Sequence, residues 1–191
     1  SHAASFALLV YLSAWLKCHE PSAFYCGLLN SLPMGFYSHS QLIQDARRHQ
    51  IVIKPIDVQH SQWDHALEGT NLKTDAHPAI RLGTRLIKGL DKDSGLRIEK
   101  AVKGKPFASI DELAIRAGVN DQNMRFLARA GALKSLSGNR HQAHWDVAGI
   151  KRPLPLTKTS SNATRDSSLR KNPVIRPEPS PEKNLISDYR Y

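Results

Sequence analysis

The sequence predicts a mainly α-helical chain with a small α/β element and a disordered C-terminal tail, on three observations. Residues 3–16 are apolar at almost every position, a run suited to a helix enclosed by other protein. Glycine-centred turns flanked by helical spacing recur at residues 86–101 and 126–145, whereas the β-branched run IVIKPIDV, with AIRLG as a second short strand, marks the small α/β element. From Lys151 the composition turns to Pro, Ser, Thr, Asn and charge, with too little apolar side chain to offset the entropy of ordering.

Taken in order, the opening run contains Ser5 and Ser13 and is shorter than the roughly 20 residues of a membrane span, so no membrane partner is expected. Lys17 and His19 suit a helix C-terminus, Pro21 breaks the chain, and Ser22 can cap a second helix over residues 23–30. Cys18 and Cys26 fall two helical turns apart, about 12 Å along the axis, too far for a disulfide; they are expected as reduced core residues. Ser40 can cap QLIQDARRHQ, where Leu42, Ile43 and Ala46 form an apolar stripe and Arg47, Arg48 and His49 a basic end. Pro55 marks IVIKPIDV as a short or edge strand, and AIRLG is a second strand. His60, Asp64 and His65 in DVQHSQWDH read as a polar turn around an anchoring Trp63 rather than as metal ligands. Ser109, with Glu112 three residues on, opens a further helix with a capping box. These shifts divide the chain into residues 1–37, 38–78, 79–150 and 151–191.

A formal net charge of +10 in 191 residues, with a pI near 9.8, makes a polyanion the leading partner class and nucleic acid its first member. The charge is concentrated: from Arg81 to Arg140 there are thirteen Lys and Arg against six Asp and Glu.

Within that basic third, LIKGLDKDSGLRIEKA has the shape of a helix-hairpin-helix. Gly89 lets the chain turn without a Cβ, so the first amides of the next helix can meet a phosphate oxygen, while Leu96 and Ile98 supply the apolar side of that helix. FLARAGALKSLSGNRHQAHW repeats the shape. Leu127 and Ala128 belong to the incoming helix, Gly131 to the hairpin, and Leu133 and Leu136 to the packing; Gly138 breaks the chain before a last helix near Asn139. The tandem names Lys88, Gly89, Lys92, Arg97, Gly131, Lys134, Gly138, Asn139 and Arg140 as candidate DNA-contacting residues. Phosphate contacts carry no base information, so such binding is non-specific and salt-dependent. Asp91 and Asp93 could be two-metal carboxylates but sit where acids start a helix, and His141 with His144 lacks further ligands. No catalytic residue and no metal site are assigned.

Beyond these local readings, SHAASFALLVYLSAWLKCHEPSAFYCGLLNS resembles the end of the fingers region in bacterial C-family replicative DNA polymerases, the polymerase III alpha subunits. PMGFYSHSQLIQDARRHQIVIKPIDVQHSQWDHALE, AIRLGTRLIKGL, PFASIDELAIRAGV and LARAGALKSLSGNRHQAHWDVAGI are similar to their error-prone, damage-inducible branch, and PEKNLISDYRY to the stretch that leads into an oligonucleotide-binding fold. The resemblance implies a polymerase fragment: the helical end of the fingers at 1–37, a connecting segment, the tandem helix-hairpin-helix at 79–150, and a tail. It further implies that a PHP domain and a palm with three catalytic aspartates belong elsewhere in the parent protein. The parent reaction is Mg²⁺-dependent DNA synthesis, in translesion repair with accessory proteins, at the nucleoid in the bacterial cytoplasm. By the same analogy Ser1 and His2 fall near the incoming nucleotide. No stretch after Trp145 matches the glutamine-led peptide with which replicative relatives bind the sliding clamp. The expected ligand is primer-template duplex, and the expected activity of the chain alone is none. The alternative reading is a stand-alone, non-specific DNA-binding or interaction module.

Overall fold

A computed structural model describes residues 2–69 and 77–149. The predicted tail and Ser1 lie outside the described residues, as does the side chain of Arg140. Helix α1 (His2–His19) buries none of its residues within this chain: Phe6, Val10 and Tyr11 are each about two-thirds exposed, at 64%, 67% and 66%. Among the described residues, none supplies the enclosure expected from composition. No helix among the described residues is long and apolar enough to cross a membrane.

Helix α2 (Pro21–Asn30) begins at the proline, which fits the first helical position because its absent N–H would have had no intrahelical partner. Ser22, expected as the cap, is instead buried inside the helix. Cys26 is buried but Cys18 is exposed, correcting the expectation that both are core residues. Helix α3 (His39–Arg48) starts one cap earlier than expected, because Ser38 rather than Ser40 completes a reciprocal capping box with Gln41. It ends in a left-handed residue, Gln50 at φ +61°, with the Ile51 amide reaching back to the Ala46 carbonyl at 3.1 Å.

Three short strands follow: β1 (Ile53–Lys54), β2 (Ala66–Glu68) and β3 (Ala79–Arg81). Their order is β1-β3-β2, with β1 parallel and β2 antiparallel to the central β3. β1 is an edge strand ending beside Pro55, as its proline requires. β2 was not expected from the sequence; ion pairs lock it, with Glu68 accepting from Arg81 at 2.7 Å and Lys54 at 3.0 Å. The Arg81 guanidinium foremost, against some desolvation and aided by Lys54, holds the Glu68 carboxyl at about 2.

After β3 the chain is clamped. Gly83 lies so close to the 63–64 backbone that a Cβ would meet the Trp63 carbonyl at 2.4 Å. The Gly83 amide donates to Nδ1 of buried His65, which burial and then Arg85 hold neutral with a pKa near 4. Arg85 in turn donates to the carbonyls of Asn30 and Leu32 at the end of α2, at 2.9 and 3.2 Å.

Five helices complete the described chain: α4 (Lys92–Gly104), α5 (Ile110–Arg116), α6 (Asp121–Arg129), α7 (Lys134–Ser137) and α8 (Arg140–Ala148). Their core includes Ile98, Leu113, Met124, Leu127, Leu133 and Ala143, all at 0% exposure. Val58 joins it from the loop after β1, its amide donating to the Ala132 carbonyl at 3.0 Å. A second apolar cluster gathers Tyr25, Leu29, Leu42, Ala46, Ile51 and Ile80 around α2, α3 and β3.

Candidate nucleic-acid interface

The first hairpin follows a single 3₁₀ turn, Thr84–Leu86. Ile87 and Leu90 are buried, and Gly89 turns the chain at φ +89°, a conformation that strains any residue with a Cβ. Here the missing side chain is needed twice, because a Cβ would also meet the ring of Phe126 on α6 at 2.7 Å. Asp91 then caps α4, accepting from the Ser94 amide at 2.8 Å. As α4 begins at Lys92, the amides of Lys92 and Asp93 have no intrahelical acceptor.

That cap is tied to the second unit. Buried Asn123 of α6 donates to the Asp91 carboxylate and, at 2.9 Å, to the Ser94 hydroxyl. The Ser94 amide foremost depresses the Asp91 pKa, against desolvation and with help from the Asn123 side chain. The carboxylate that the sequence offered as a metal ligand is thus committed to a helix cap. Among the described residues no group of three or more His, Cys, Asp or Glu could hold a metal.

The second hairpin is built differently. Gly131, at φ +70°, terminates α6 with paired bonds: its amide reaches Ala128 and the Ala132 amide reaches Leu127, each at 3.0 Å. Both amides are therefore used inside the protein, and the charge here comes from exposed Lys134. Gly138 (φ +81°) follows α7, and Asn139 caps α8 by accepting from the Gln142 amide at 2.8 Å.

Of the other candidates, Lys88 and Lys92 are exposed without an ion pair among the described residues. Arg97 is also exposed, and it donates to the Ala117 carbonyl at 3.1 Å and to the Ser94 hydroxyl at 2.7 Å. Arg140 is the first residue of α8. Leu96, read as a packing residue, is 43% exposed; Ile98 alone of that pair enters the core. His2, the nucleotide-proximal candidate, is exposed at the start of α1, far along the sequence from both hairpins.

Sequence reading missed Asn123, Phe126 and Arg125. The i, i+3 and i+4 spacing of Gln122, Arg125, Phe126 and Arg129 was available as a signal for one helix face, but their relation to Gly89 is a tertiary fact.

Residues 50–143 match the helix-hairpin-helix motif family. Over 99% of its length the chain is similar to proteins named error-prone DNA polymerase: 46% identical to that of Methylococcus capsulatus, 48% to that of Pseudomonas fluorescens and 49% to that of Teredinibacter turnerae. It spans 19% of the first of these relatives and 18% of the other two.

Proposed function

We propose, from a chain that belongs to the error-prone DNA polymerase family over nearly its whole length, that this part grips the sugar-phosphate backbone of primed duplex DNA without reading its bases. The observation that carries the reading is the pair of left-handed hairpin glycines, Gly89 and Gly131, with exposed cations at Lys88, Lys92 and Lys134. At the first hairpin, two unpaired helix-start amides add a short-range dipole to the lysines. At the second, Lys134 acts as a point charge. Duplex DNA presents one negative charge per roughly 1.7 Å, so a few such contacts give useful affinity and a steep salt dependence.

The whole activity proposed for the parent protein is translesion DNA synthesis, with Mg²⁺ held by carboxylates outside this chain and accessory proteins alongside, at the bacterial nucleoid. In it, His2 would stand toward the incoming nucleotide. The chain would contribute grip rather than chemistry.

Fluorescence anisotropy of a labelled primer-template duplex, titrated from 50 to 300 mM salt, tests the grip. Two unrelated duplex sequences should bind equally, and replacing Lys88, Lys92 and Lys134 together by Gln should make the slope of log K against log salt shallower by about 0.9 for each phosphate no longer neutralised. An unchanged slope would overturn the reading.

A further inference from the structure

The outer face of α6 forms an open groove lined by Asp121, Gln122, Arg125, Phe126 and Arg129. It adjoins the first hairpin, because the Phe126 ring that walls it is the same ring on which Gly89 lies. Arg125 is exposed and has no ion pair among the described residues. Arg129 and Asp121 are both engaged within the chain, so the carboxylate in the groove is not a free one. Arg125 and Arg129 stand one turn apart on the same face, about 6 Å along the axis. The groove therefore combines one available guanidinium, an amide side chain and an aromatic wall, directly beside the exposed Lys88–Gly89 turn.

We infer that this groove is a second binding site for the phosphate backbone, with Arg125 as its contact and Phe126 as the positioning residue that seats the Gly89 turn against it. A strand leaving the first hairpin continues onto α6, where Arg125 offers two parallel N–H donors to a phosphate and Gln122 a neutral donor beside it. The inference rests on the backbone-gripping reading above. It deepens that reading by assigning a site to a helix face rather than to a hairpin.

The test is duplex-DNA anisotropy with the 191-residue chain and three variants, Lys88→Gln, Arg125→Gln and Arg125→Lys, each checked for an unchanged circular-dichroism melt. Arg125→Gln is expected to weaken binding about three- to ten-fold near 0.1 M salt and to reduce the salt slope by about 0.9, with Arg125→Lys keeping the slope while losing part of the affinity. If Lys88→Gln lowers the slope and Arg125→Gln does not, the groove site is overturned and the hairpin grip stands. If the unaltered chain shows no salt-dependent duplex binding, the grip fails and the groove with it. Weakened binding at an unchanged slope would also overturn the site, since the contact would then not be ionic.

Discussion

The two hairpins share a glycine in the left-handed region and differ in almost everything the glycine does. At Gly89 the missing Cβ makes room for Phe126, and the following cap, Asp91, is held by Asn123 of α6. At Gly131 the turn is a helix terminator whose amides are consumed locally, and the later Gly138 has nothing within 4 Å of a would-be Cβ. One local signature thus encodes a packed joint in the first unit and a chain reversal in the second. The exposed donors differ accordingly among the described residues: two helix-start amides and two lysines at the first, Lys134 at the second.

Substitution at the glycines separates the two most sharply. Gly89→Ala should cost about 3 kcal/mol, combining a left-handed penalty of about 1–2 with overpacking against Phe126 of about 1–3. Gly138→Ala, at the open left-handed turn that ends the second unit's short helix α7, should cost about 1–2 kcal/mol, the conformational part only. Urea unfolding measures both, and equal costs would dissolve the distinction. Shrinking the ring should sharpen it: Phe126→Leu in the Gly89→Ala background is expected to recover part of the stability, which a purely conformational penalty would not allow.

The caps should differ next. Asn123→Ala strips buried partners from Asp91 and Ser94 at once and is expected to cost about 2 kcal/mol. Asn139→Ala, which removes a single cap bond, should cost about 1 kcal/mol. A larger cost at Asn139 would reverse the ranking of the two joints.

The smallest expected effect lies in pH. Asp91 is depressed in the folded protein, so its contribution is full above the ordinary aspartate value of about 3.9 and is lost as pH falls through the lowered folded value. The stability gap between the native chain and Asp91→Asn should therefore narrow from pH 5 toward pH 2. A gap that stayed constant would show the cap to be indifferent to ionisation.

How far the sequence led follows the same local-against-tertiary line. Ser109 caps where expected, and the last helix opens near Asn139 as expected, because a helix start needs only the next few residues. Gly89, Gly131 and Gly138 were visible because a left-handed turn selects glycine locally. The edge position of β1 was legible from Pro55, whereas β2, three residues long, exists through pairing with β3 and the Glu68–Arg81 bond, neither of which leaves a periodic trace. Arg97 adds a tertiary detail of its own: an exposed basic residue beside the hairpin, it also donates to the Ala117 carbonyl, a bond that its sequence neighbours do not announce. Phe126 lay in plain sight, but its role depends on a turn 37 residues earlier.

Gly83 and Arg85 give the first hairpin a mechanical character. The chain approaches the 63–64 backbone closely at Gly83 and turns at Gly89, and between them Arg85 donates to the carbonyls of Asn30, the last residue of α2, and of Leu32 just beyond it. Arg85 thus anchors the segment before the first hairpin to the chain leaving α2, so the hairpin and the α2 cluster share a fixed joint.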